Sequence, residues 1–285
     1  MKRLTLFAMA LTVTCLALAG CQKQKEASDG GAATNTAADI TEATTNDTEA
    51  AQKAGKKWKT QKVEVAKNDQ QSNMQVKVEI DYPVDGPKQV VDTARAFIAE
   101  TLEGIFYYGA NSTRQPPHYN GNADDPDAFA RFYAEEYMKY LVEHQPPRGT
   151  PMMIEFEIDC EAASQRYVTY ETSLTQWMGG SHPNQEKKGV TLRTADGQHI
   201  TSFFNPGHED AIKQLILADV DDEEKDFVRN AGLPATPPYL EGDELKFVYQ
   251  ENEIAPYVVG CIEAEVEIKK IRPYLNDSAL ELIKR

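Results

Sequence analysis

Apolar and polar positions change period several times along this 285-residue chain, and each change predicts an element. Behind Lys2 and Arg3, the stretch from Leu4 to Leu18 is almost wholly apolar. It is shorter than the roughly 20 residues that cross a bilayer and runs into polar sequence, so it reads as a cleaved signal peptide. From Gln22 to Lys57 there is no aromatic residue, and small or polar types dominate. Such a segment buries too little apolar surface to offset its ordering entropy, which predicts a flexible tether. At Trp58 the pattern becomes that of a folded chain.

Met74, Val76, Val78, Ile80 and Tyr82 alternate strictly, the period of a half-buried strand. After the Asp85-Gly86-Pro87 turn, Val90, Val91, Ala94, Phe97, Ile98, Thr101, Leu102, Ile105 and Phe106 recur at helical spacing. A polar loop leads to Asp124, Asp125 and Pro126, the start of a second helix whose stripe is Phe129, Phe132, Tyr133, Tyr137, Tyr140 and Leu141. That aromatic stripe has the spacing of core. Alternating strands are predicted over Met152 to Cys160 and Arg166 to Met178, and a hairpin over Val190 to Phe204 around Asp196-Gly197. Helices follow over Glu209 to Val220 and Glu223 to Asn230, then strands over Leu245 to Tyr249 and Cys261 to Lys269, and a closing helix near Asn276 to Ile283. No internal repeat is visible. Helices early and hairpin-linked strands late predict an α+β fold, with antiparallel sheet covered by amphipathic helices. About 225 residues after the tether suffice for one large domain or two small ones packed together.

Charge and cysteines sharpen this picture. The formal net charge is −15, and loss of Lys2 and Arg3 with the signal peptide takes it to −17. A chain this acidic repels nucleic acid and anionic membrane surfaces and favours cationic partners, although acidity also serves solubility alone. Leu18-Ala19-Gly20-Cys21 supplies the small residues a lipoprotein signal peptidase needs, so Cys21 is expected to be the acylated first residue of the mature protein. Acyl chains then attach it to the membrane, each buried methylene adding about 0.8 kcal/mol. Cys15 leaves with the signal peptide, which leaves Cys160 and Cys261 in the folded part of an exported protein. An oxidising compartment permits a disulfide between them; two buried free thiols are the alternative.

Catalytic and metal-binding patterns are not found. His118, His144, His182, His199 and His208 form no i, i+4 pair and no His-Glu-x-x-His, so no metal site is expected. Ser181 and His182 are sequence neighbours, which project apart and do not make a nucleophile and its base. No phosphate loop, dinucleotide fingerprint or Gly-x-Ser-x-Gly occurs. The chain is therefore expected not to be an enzyme and to hold no cofactor.

Two motifs remain. One is the turn Trp177-Met178-Gly179-Gly180-Ser181-His182-Pro183-Asn184, in which paired glycines permit positive φ, Pro183 fixes the exit and His182 can bridge backbone groups. The other is Tyr249-Gln250-Glu251-Asn252-Glu253-Ile254-Ala255-Pro256-Tyr257-Val258-Val259-Gly260, read as a bend with Tyr257 half buried. Gly179, Gly180, Ser181, His182, Pro183 and Tyr257 are candidates for a structural turn or for ligand contact. Their order resembles the extracytoplasmic domain of the RsiV anti-sigma factor, found also beside the catalytic module of PdaC-type peptidoglycan deacetylases and known as domain of unknown function 3298. With the signal peptide read at 1–20 and the tether at 21–57, the resemblance divides the rest into a half resembling domain of unknown function 4163 at 58–178 and the RsiV-like part at 179–285. The deacetylase module itself is absent from this chain. The resemblance further implies an extracytoplasmic binding or sensing domain of the cell envelope, whose partner is lysozyme or another basic protein. The lipid anchor at Cys21, read from the 18–21 motif, departs from RsiV, which has a spanning helix, and makes this a membrane-anchored lipoprotein. The alternative is a non-catalytic glycan-binding or scaffolding accessory to peptidoglycan-modifying enzymes.

Overall fold

The computed structural model describes residues 57–107, 115–144 and 150–284. The expected signal peptide, Cys21 and the tether up to residue 56 lie outside these. Among the described residues no helix is long and apolar enough to cross a membrane.

Five strands form one sheet in chain order: β1 (Lys59–Asp69), β2 (Met74–Asp85), β3 (Met152–Ala163), β4 (Tyr167–Trp177) and β5 (Asn184–Arg193). The alternation in β2 turns Met74, Val76, Val78, Ile80 and Tyr82 inward, each at most 2% exposed. Burying one such side chain fully contributes about 1.5–3 kcal/mol. Over this inner face lie α1 (Lys88–Gly104) and α2 (Pro126–Glu143), which bury Ile98, Leu102, Tyr133 and Tyr137. Asp125 caps α2 by accepting from the Ala128 N–H at 3.0 Å, with Pro126 in the first turn.

Two features differ from expectation. β1 did not stand out, because an edge strand with one apolar side carries only Val63 and Val65 among Lys and Glu. In addition, β2 and β3 pair in parallel, Val76 opposite Ile154 and Val78 opposite Phe156, so the sheet is mixed and not purely antiparallel. The cause is the connection between them: α1 and α2 carry the chain back along the sheet, as a parallel pair requires.

A second, antiparallel sheet runs β6 (Tyr239–Glu241), β7 (Glu244–Tyr249), β8 (Ile262–Glu267). With α3 (Glu209–Asp219), α4 (Lys225–Asn230), α5 (Ile268–Ile271) and α6 (Asp277–Leu282) it encloses another core of Phe203, Ile212, Ile216, Leu245, Phe247 and Val266. The predicted Val190 to Phe204 hairpin is only half formed. After Arg193, whose guanidinium binds Asp196 through two hydrogen bonds, the second arm contributes a single bridge, Leu192 to His199. The chain then leaves the first sheet because Ile200 and Phe203 are drawn into the second core.

The two cores meet on β4, which gives Val168 and Tyr170 to the first and Tyr167 to the second, and β4 and β5 pair across position 178 within one sheet. β6 lies on the outer face of this pair. Leu240 N–H donates to Thr191 Oγ1 at 2.9 Å, and the Tyr239 hydroxyl donates to Glu171 at 2.5 Å. Beneath it Lys246 is ringed by Glu171 at 3.1 Å, Glu241 and Glu263 at 3.3 Å each, and Glu265 at 3.7 Å, while Lys187 reaches Glu171 at 2.8 Å. Burial alone would lower the Lys246 pKa, but these carboxylates, Glu171 foremost, raise it and keep it charged. The architecture is α+β.

Candidate functional site

Two surfaces have the chemistry of binding. The first is the outer face of β1 to β3, which the second sheet leaves largely open. Strand parity places Lys62 and Glu64 of β1, Lys77, Glu79 and Asp81 of β2, and Glu155, Glu157 and Asp159 of β3 on this side. Lys62 and Lys77 both converge on Glu79, each at 2.5 Å. Burial would raise the Glu79 pKa, yet these two hydrogen bonds bring it below its usual value. Asp159 fares otherwise. Partial burial and the nearby Glu157 push it up to about 6, and Lys62, 3.7 Å away, offsets this only in part. The face carries an excess of negative potential.

The second surface is a groove of about 600 Å³ where β4 and β5 run beyond the helices. Its floor is Leu174, Gln176 and Met178; its sides are Asn184, Gln185 and Glu186 of β5, residues 250–252, Tyr257, Thr236 and Tyr140. A volume in this range, about 300–1,000 Å³, is typical of small-molecule sites. No Lys or Arg lines it. Glu186 pairs with Lys188 at 2.6 Å, and Glu251 accepts the Gln185 N–H through Oε2 while its Oε1 is buried without a hydrogen-bond partner.

The predicted turn connects two residues of the lining, Met178 and Asn184, but Gly179 to Pro183 do not line the groove themselves. Trp177 Nε1 donates to Gly180 O at 2.8 Å and closes the turn. Of the paired glycines only Gly179 takes positive φ, at 80°. Gly180 does not need its missing side chain, since a Cβ there would meet nothing nearer than His182 O at 3.8 Å. Ser181 and His182 are exposed, and Pro183 is half buried. The His182 ring touches that of Tyr257, whose hydroxyl donates to Asn184 Oδ1. The structure thus joins both sequence motifs: Tyr257 bolts the second motif to the exit of the first. Pro256 leads into the turn Tyr257–Val259, which leaves Val258 92% exposed.

The disulfide expected as one alternative is not formed; Cys160 and Cys261 are both free. Cys160 lies against Tyr170 of β4, whereas Cys261 Sγ lies 3.9 Å from Gln185 O, and Gln185 pairs with Thr175. Tyr170 and Thr175 are about 16 Å apart along the strand at roughly 3.3 Å per residue. A disulfide needs Cα atoms within about 7 Å. Burial pushes the Cys160 thiol up to about 12, so it is no nucleophile. Cys21 lies outside the described residues. Among the described residues no group of three His, Cys, Asp or Glu is placed to hold a metal.

Sequence reasoning missed Gln176, Gln185 and Asn252 of the groove. Only Gln176 left a signal: it is a polar residue in the inward parity of β4, between Leu174 and Met178.

The chain matches no family model and no curated protein. It is similar in structure to a member of the DUF3298 family from Bacteroides fragilis NCTC 9343, with a TM-score of 0.57 and 14% identity over 78% of this chain and 95% of that one. It is similar also to a DUF3298 family protein from Pseudomonas aeruginosa PAO1, with a TM-score of 0.51 and 13% identity over 77% of this chain and 96% of that one. The chain therefore has the fold of solved members of the domain of unknown function 3298 family.

Proposed function

We propose that this chain is an extracytoplasmic binding protein of a bacterial cell envelope, attached to a membrane by acyl chains on Cys21, and that it captures a basic, envelope-directed protein, with lysozyme the first candidate. The observation that carries this reading is the open acidic face of β1 to β3, where Glu64, Glu79, Asp81, Glu155, Glu157 and Asp159 face only Lys62 and Lys77. Such a face steers a cationic protein and selects against nucleic acid. The resemblance of the 177–184 and 249–260 motifs to an extracytoplasmic sensing domain supports the same class. In this reading the protein performs no reaction and needs no cofactor.

Calorimetry of the detergent-solubilised mature protein with lysozyme, at low and physiological ionic strength, tests the reading. The expected result is a saturable one-to-one complex that survives physiological salt and weakens at least tenfold in Glu155→Gln/Glu157→Gln. Absence of saturable binding at either salt would sink the lysozyme assignment. A second reading, a glycan-binding accessory of the envelope, draws support from the carboxamide-rich groove.

A further inference from the structure

The groove carries a more specific assignment than its volume. Leu174, Gln176 and Met178 project to one side of β4 and form its floor. Gln176 is only 8% exposed, yet its carboxamide lines the groove without a hydrogen-bond partner among the described residues. Buried polar groups are nearly always paired, so an open amide at the bottom of a cleft points to a ligand. Gln185 and Asn252 add two carboxamides at the rim that are exposed and likewise unpaired among the described residues.

The ligand's charge and shape follow from what surrounds these amides. With no cation in the lining, Glu186 paired with Lys188, and Glu251 leaving its buried Oε1 open as an acceptor, the groove excludes an anion and suits a neutral molecule that brings a hydrogen-bond donor. An extended peptide is disfavoured because the adjoining edge of β5 is already taken. The Lys187 N–H donates to Gln250 Oε1 at 3.1 Å, the Gln250 amide donates to Lys187 O at 2.5 Å, and the Gln185 N–H donates to Glu251. With the Gln185 and Lys187 N–H groups and the Lys187 carbonyl occupied, this stretch of edge offers no ladder for an added strand. What remains is an apolar strip beside a buried amide, an aromatic wall and outer amides, a set complementary to a sugar bearing an acetamido group.

We infer that the groove binds a glycan containing N-acetylated hexosamine. A pyranose ring lies against Tyr257, its hydroxyls bond Gln185 and Asn252, and the acetamido amide meets Gln176 while its methyl rests on Leu174 and Met178. This inference deepens the accessory reading and does not depend on the acidic face.

The test is calorimetric titration of the full mature protein with N,N′,N″-triacetylchitotriose, cellotriose and trialanine. Saturable binding of the acetylated trimer is expected, at least tenfold tighter than cellotriose, with no binding of trialanine. Gln176→Leu should weaken it at least tenfold. Should Gln176→Leu misfold, Gln185→Ala and Asn252→Gly serve instead; both positions are exposed, and glycine keeps the positive φ of residue 252. Equal binding of the two sugars would overturn the acetamido assignment while leaving glycan binding standing. Tighter binding of trialanine, binding indifferent to all three variants, or no binding of either sugar would overturn the site as a glycan site. The last result, with lysozyme binding intact, would leave the acidic-face reading untouched.

Discussion

The ring of Tyr239 occupies the space where a side chain at Gly189 would begin. A Cβ added at Gly189 would lie 2.2 Å from Tyr239 Cγ, far inside contact distance. Glycine in the middle of a strand weakens it unless another group must approach closely, and here the approaching group is the ring that seats β6 on β5. That ring also carries the hydroxyl that bonds Glu171, so one missing methyl group lets the second sheet reach the buried ion network.

Gly189→Ala is therefore expected to destabilise the protein by about 1–3 kcal/mol, the usual cost of overpacking. Tyr239→Ala relieves the clash, so the double variant should be more stable than the sum of the single losses implies. Urea denaturation of the four proteins measures this coupling. Strict additivity would mean that the two residues do not touch in solution.

This contact shows what a linear pattern can and cannot disclose. Alternation in Met74 to Tyr82 and the helical spacing of Val90 to Ile105 were legible because each element buries one continuous stripe. The role of Gly189 was not, because its reason lies fifty residues away in sequence, on Tyr239. The parallel register of β2 and β3 was hidden likewise: a strand's pattern tells which side is buried, not which neighbour it takes. For Cys160 and Cys261, compartment chemistry allowed a bond that distance forbids. At the candidate site the turn and Tyr257 were visible as motifs. Their meeting, and the open amide of Gln176, required the fold.

The 179–183 turn offers a stringent comparison of two adjacent glycines. Gly179→Ala forces a side chain to φ of 80° and should cost about 1 kcal/mol, lowering Tm by a few degrees. Gly180→Ala meets open space and should stay within about 0.5 kcal/mol of the parent. Equal losses in a thermal melt would show that the turn adopts another conformation.

Asp159 gives the acidic face a pH signature. Its pKa stands at about 6 in the folded protein against an ordinary 3.8, so the folded state holds this proton more tightly than the unfolded chain. Its ionisation therefore costs stability, a cost absent below about pH 4 and complete above about pH 6. Asp159→Asn should raise stability at pH 7.5 by about 1 kcal/mol, discounted for partial exposure and for the lost pairing with Lys62, and should change nothing at pH 3.5. Thermal melts of both proteins across this range decide it. A gain that is the same at both pH values would refute the assignment to Asp159.

The ion network beneath β6 makes the opposite kind of prediction. Lys246, 7% exposed, faces four carboxylates, and its removal strands them in a poorly solvated space even though Lys187 still pairs with Glu171 and Glu263. Lys246→Met should cost about 3 kcal/mol, because breaking a buried pair leaves an uncompensated charge. Adding Glu171→Gln should restore part of that loss by removing the charge nearest the gap. Glu171 is held below its usual pKa: burial would raise it, but Lys187, Tyr239 and Lys246 outweigh that effect. The stability it contributes is thus present above the ordinary carboxylate range and lost as pH falls through its folded pKa. The Lys246→Met penalty should accordingly shrink in acid, when the surrounding carboxylates take up protons. Urea unfolding of the single and double variants at pH 7.5 and pH 4 measures both effects, and a penalty that grew on acidification would show that Lys246 is not stabilised by these carboxylates.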